Sequence, residues 1–198
     1  MPATNNEWFF AFPFPSLNLF LTSRMNLREQ ILKVHSKANS ELIIKWIGNS
    51  QSRFNELLEL FLHDEYRVVQ RAAWSLSGAA INNPQLVAKH YGRLIKNLQK
   101  PPIHIAVTRN TVRLFAAIPI PEKYHGELME ICFRYITSPD ETVAVKAFSL
   151  TILDRLSILY PEIQNELKLV IEERWNHETA AFRSRAAKIL KKMPASKG

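Results

Sequence analysis

One cysteine and five glycines stand in a chain of 198 residues, and each shortage closes off a class of structure. A lone Cys132 forms no internal disulfide and no cysteine-rich zinc site, which points to a reducing, cytoplasmic setting. So few glycines supply too few tight turns for a fold built from many hairpins. The sequence also lacks a phosphate-binding glycine loop, a Gly-x-Ser-x-Gly elbow and a His-Glu-x-x-His pair, and its six histidines are scattered. Neither a metal ligand set nor a cofactor motif is present, and none is expected. The apolar stretch "WFFAFPFPSLNLFL" carries two prolines and is too short to span a membrane. It has no basic segment before it and no small-residue cleavage pattern after it, so it does not fit a secretory signal.

What the chain has in quantity is Leu, Ile, Ala, Glu, Lys and Arg, all compatible with helices. Hydrophobic residues make up 46% and charged residues 22%, an ordinary balance for a soluble domain. A formal charge of +8 and a pI near 9.7 favour acidic partners. The length fits one domain with an appendage.

The internal order is a repeat. Arg71, Arg109, Ala147 and Arg185 fall in one column with steps of 38 residues. Val69, Val107 and Val145 form a second column, broken by Arg183. Ala73, Thr111, Ser149 and Ala187 form a column of small residues, and Leu76, Leu114, Ile152 and Leu190 an aliphatic one. Spacings of three, four and seven put the last three columns on one helix face, where small side chains admit a second helix closely. A preceding helix carries its own apolar column, assigned to Leu57, Ile95, Phe133 and Ile171. The turns between the paired helices read "HDEY", "KPPIH", "SPDET" and "NHETA". Asp64 and Asp140 are placed there to cap the second helices, while Pro139 and the Pro101-Pro102 pair stop the first. "NNP", "PIPEK" and "YPEI" separate successive units, with proline near each helix start. Upstream, 27–37 and 41–47 are expected to make a shorter terminal pair, atypical because it covers the end of the stack.

Helical hairpins of roughly 40 residues, with an Asp in the turn and a Val- or Ala-rich second helix, resemble the HEAT repeat. Here those features are "DEYRVVQRAAWSL" and "DETVAVKAFSLTIL", and the resemblance covers residues 27 to 193. It implies an all-α, right-handed superhelical solenoid of about five hairpins, with second helices lining the concave side. The expected units are 25–49, 51–81, 84–118, 121–158 and 161–193, in one domain over 25–194 with a tail at 195–198.

On the face opposite the core columns, the second helices carry Arg67, Arg71 and Trp74, then Arg109 and Arg113, then Asp154, then Arg185, Lys188 and Lys192. Two accounts of this row are open. It is a groove for an acidic protein segment or for the phosphates of a nucleic acid, with Trp74 as a platform. Otherwise each arginine pairs with an acid of the neighbouring unit and Trp74 packs between repeats. The basic end, from Arg183 to Lys197, equally fits a solvated helix terminus matched to its dipole.

The function expected is therefore a non-catalytic scaffold or binding module for a protein partner, with nucleic-acid binding as the alternative. The resemblance admits one specific enzyme class, the HEAT-like glycosylases that excise alkylated bases. Their essential aspartate has a single candidate here, Asp154, and Leu150 stands one turn before it where an aromatic would be expected. Cys132 sits one residue from the Phe133 column, the place of a buried structural thiol.

Met25 opens the regular patterning, so residues 1–24 are expected to be an appended segment, with packing of Trp8 to Phe20 on the first helices as the other reading. A chain begun at Met25 should melt at the same temperature as the full chain. A lower midpoint would assign Trp8 to Phe20 to a cap on the stack.

Overall fold

A computed structural model of the chain describes residues 25–100 and 105–193. The 1–24 segment, Pro101, Pro102 and the 195–198 tail lie outside the described residues. Among the described residues ten α-helices follow one another: α1 (Leu27–Lys33), α2 (Lys37–Ile47), α3 (Gln51–His63), α4 (Tyr66–Asn82), α5 (Tyr91–Leu98), α6 (Ile105–Ala117), α7 (His125–Thr137), α8 (Val143–Leu159), α9 (Gln164–Arg174) and α10 (Ala180–Leu190). No strand occurs among the described residues. The helices run as five successive pairs, forming an α-solenoid.

The second helices, α2, α4, α6, α8 and α10, pack one on the next along the stack, while the first helices touch less extensively. The more closely spaced row of a curved stack is its inner row, so the second helices line the concave side. The small-residue column explains how they come so close: Ala73, Thr111 and Ser149 are all buried. At Gly78 the approach is tighter still, since a Cβ there would meet the Ile44 side chain of α2 at 2.3 Å. Val69, Val107 and Val145, and Leu76, Leu114 and Ile152, are buried as their spacing requires. In α10 the equivalents Ala187 and Leu190 are only half-buried, α10 being the last of the described helices.

The first helices depart from the 38-residue step. Phe133 is half-buried, and the core position belongs to Cys132. Leu57, Ile95 and Ile171 of the expected column are buried, and a column buried throughout runs Leu58, Ile95, Cys132 and Ile171, with steps of 37, 37 and 39 residues. The connections absorb the one-residue difference between the two rows. Burial pushes the Cys132 thiol up to about 12, the Ser149 hydroxyl opposing it only in part, so the thiol stays protonated.

Three local expectations need correction. Asp64 and Asp140 do not cap α4 and α8, whose caps are Glu65 and Thr142 and lack a side-chain capping bond. Asp64 turns instead to Arg28 of α1, whose guanidinium donates to it at 2.8 and 3.1 Å. That charged pairing holds the Asp64 carboxyl below its ordinary range. The terminal pair breaks at Val34 to Ser36 because the Ser36 hydroxyl accepts from Asn39 N–H and starts α2 at Lys37. Pro84 and Pro161 open short 3-10 turns, Pro84–Leu86 and Pro161–Ile163, and the α-helices begin only after them.

Two buried polar ties hold successive units together. Arg155 of α8 donates to the carbonyls of Phe115, Ala116 and Ile118 at 2.9–3.1 Å, closing the C-terminal end of α6. Lys146 of α8 meets Glu178, just before α10, at 2.5 Å with both side chains 4% exposed, and Arg174 joins at 2.9 Å. Burial alone would raise the Glu178 pKa, but hydrogen bonds and attraction from Lys146 and Arg174 outweigh it and hold it below 4.5. Lys146→Met would leave this carboxylate buried without its closest partner. It should cost about 3–5 kcal/mol in chemical denaturation. Because the folded-state pKa of Glu178 is depressed, its contribution is present above pH 4.5 and lost as the pH falls through the folded value. A Glu178→Gln chain should therefore lose less stability than the parent between pH 5 and 3. Equal losses would show that the triad does not set the acid limb.

Candidate functional site

The inner face of α4, α6 and α8 opens into a groove of about 370 Å³. Trp74 of α4 stands on one side, its ring 42% exposed. His35, from the link between α1 and α2, lies against that ring at 4.8 Å between centroids, the two planes tilted by 35°. Phe148 and Ala144 of α8 form the facing wall, and Gln70 lies one turn before Trp74. Between the walls, α6 presents Arg109, Asn110 and Arg113. Asn110 is committed to the fold, since its amide donates to the Ala106 carbonyl at 2.8 Å. Arg109 and Arg113 stand one helical turn apart on the same face. Both are half-buried, and neither makes a hydrogen bond or ion pair among the described residues.

Among the described residues, no carboxylate lines this groove. The nearest acid on the inner row of α8, Asp154, is held by Lys192 at 2.6 Å and is only 20% exposed at its side chain. Two like charges one turn apart repel one another by a few tenths of a kcal/mol, roughly 0.2–0.5. Among the described residues no acid offsets that repulsion, so the groove carries uncompensated positive charge beside an aromatic face.

The inner-row arginines and lysines singled out in the sequence do not act alike. Trp74, Arg109 and Arg113 come together in the groove. Arg71 turns away into the fold, donating to the Leu32 carbonyl at 2.7 Å at the end of α1. Arg185 donates to the Thr151 hydroxyl at 2.6 Å. Arg67 and Lys188 are exposed and lie outside the groove. The row is thus neither one continuous ladder nor a set of ion pairs: the two engaged arginines use a carbonyl and a hydroxyl, not acids. Sequence reasoning passed over His35, Gln70, Asn110 and Phe148. Phe148 had a legible signal, because it adjoins the Ala147 column and lies 38 residues after Asn110. His35 had none, because it belongs to a connection outside the repeat.

Among the described residues, no group of three or more His, Cys, Asp or Glu side chains is placed to hold a metal ion. No helix described is long and apolar enough to cross a membrane. The groove offers recognition chemistry: two guanidinium forks, the Gln70 amide and aromatic faces.

The division between engaged and free arginines is measurable. Arg155→Gln should cost at least about 1.5–3 kcal/mol, the worth of a charged hydrogen bond, because it uncovers the end of α6. Arg109→Gln should change stability by less than about 0.5 kcal/mol in the same urea titration. A large loss from Arg109→Gln would mean that this arginine supports the fold.

A search of curated proteins finds no match, and none is found among solved structures. The family model described as HEAT repeat domain matches residues 27–193, which takes in every helix of the stack. With its five helical pairs, closely packed inner row and 38-residue columns, the chain belongs to the HEAT repeat family.

Proposed function

We propose that this HEAT repeat protein is a cytoplasmic, non-catalytic binding module that holds an acidic segment of a protein partner in its inner groove. The observation that carries the reading is the pair Arg109 and Arg113, half-buried beside an exposed Trp74 and without an intramolecular counter-charge. Half-buried arginines are usually satisfied within a fold, and Arg71 and Arg155 show that this fold does so where it needs to. An acidic partner would supply the missing charge, and Trp74 and Phe148 would supply apolar contact at the centre of the interface. Arg67, Arg185 and Lys188, exposed along the same row, fit a basic rim that steers such a partner.

The net charge of +8 supports a second reading, in which the same groove takes nucleic acid. The two differ in salt dependence, since release of counterions from a nucleic acid gives a steep fall of affinity with salt. Base excision has weaker support, because Asp154 is engaged by Lys192 and no aromatic stands one turn before it. Asp154→Asn should leave any base-excision signal of the preparation unchanged.

The direct test is capture from native lysate with the chain and its Arg109→Glu/Arg113→Glu variant, each with and without nuclease. The expected result is an acidic protein retained by the parent after nuclease treatment and lost with the variant, whose helical circular dichroism is unchanged. Equal retention by both chains would remove the groove from the account. Loss of all retained material on nuclease treatment would transfer it to the nucleic-acid reading.

A further inference from the structure

The two groove arginines are placed for one ligand group more than for two. They leave the same face of α6 one turn apart, so their Cβ atoms stand about 5–6 Å from one another. Guanidiniums at that separation can both reach a single anion lying between them. A carboxylate offers two oxygens and one charge, which a single arginine fork saturates. A phosphate monoester offers three terminal oxygens and nearly two charges at neutral pH, enough to accept from both forks. The surroundings suit such a group: among the described residues, no carboxylate lines the groove to repel it. Asp154 is neutralised by Lys192. Trp74 and Phe148 flank the arginines with apolar surface on which the carrier of the phosphate can rest.

We propose that Arg109 and Arg113 jointly bind one phosphate dianion on a phosphorylated side chain of a protein partner, with a neighbouring apolar side chain lying on Trp74 and Phe148. The proposal rests on the inner groove being the binding face and adds what the groove distinguishes. Modification of the partner would then switch binding on. A peptide segment matches the site better than a polynucleotide because the arginines lining the groove are two and adjacent. The other basic groups of the row stand outside the groove: Arg67 and Lys188 are exposed, Arg185 is bonded to Thr151 and Lys192 to Asp154. A polynucleotide needs successive phosphates met at regular intervals, and this row does not offer them.

The test uses the full chain and fluorescein-labelled degenerate peptides centred on phosphoserine or phosphotyrosine, the same libraries centred on glutamate, and an oligothymidylate. Anisotropy at fixed ionic strength should show at least one phosphorylated library binding at least about tenfold tighter than its glutamate counterpart, a difference of about 1.4 kcal/mol. Arg113→Gln should bring the phosphorylated library down to the glutamate level, and Arg113→Lys, which keeps the charge but not the fork, should restore only part of the preference. Both variants remove a side chain with no partner in the fold, so their melting temperatures should match the parent. Equal affinity for phosphorylated and glutamate libraries would overturn the phosphate site while leaving an acidic groove in place. Tight binding of the oligothymidylate alone would overturn both. Failure of every probe would overturn the phosphate site, and the lysate capture would then decide separately whether the groove binds a protein.

Discussion

Everything in this molecule depends on how closely the second helices approach one another. None of the units can bury its own apolar stripe, so each relies on its neighbours, and the contact is made where Ala73, Thr111 and Ser149 keep the surfaces low. Bulk in this column would spread the inner row and straighten the stack. The concave face exists because that row is compressed relative to the first helices, and the groove between Trp74 and Phe148 is a consequence of that curvature.

Polar groups then divide between holding the stack and facing out of it. Arg155 closes the end of α6 through three carbonyls, and Arg71 meets the carbonyl of Leu32. Lys146, Arg174 and Glu178 fix the last pair to the one before it. On the outer row, Arg93 pairs with Glu59 between α5 and α3, and Gln99 donates to Glu127 between α5 and α7. Against this background of satisfied groups Arg109 and Arg113 stand out. The cationic side chains that the fold uses have found acceptors, whereas these two face a groove that holds no acid among the described residues.

Much of the fold was legible in the chain because its second helices keep a strict 38-residue step, and burial follows that step from Val69 to Ile152. The first helices were misread by one residue at Phe133, since their connections vary and shift the phase without changing the helix. The turn aspartates were assigned to the nearest free N–H groups. Asp64 instead found Arg28, which lies 36 residues away and is close only after folding. The site was half legible for the same reason. Trp74, Arg109 and Arg113 share a repeat column or adjoin one, so periodicity brings them together. Whether a given arginine is free depends on which carbonyl or hydroxyl the neighbouring unit delivers, and that is settled by packing. His35 enters from the irregular terminal pair, where the period gives no guidance.

The proposed partner lies in the inner groove and not on the outer row. A photo-crosslinking amino acid placed at position 148, within the groove, and separately at position 169, where Leu169 is 66% exposed on α9, tests it directly. Irradiation in lysate should yield a covalent adduct with an acidic protein from position 148 and none from position 169. An adduct formed only from position 169 would contradict the account and place the binding surface on the outer row.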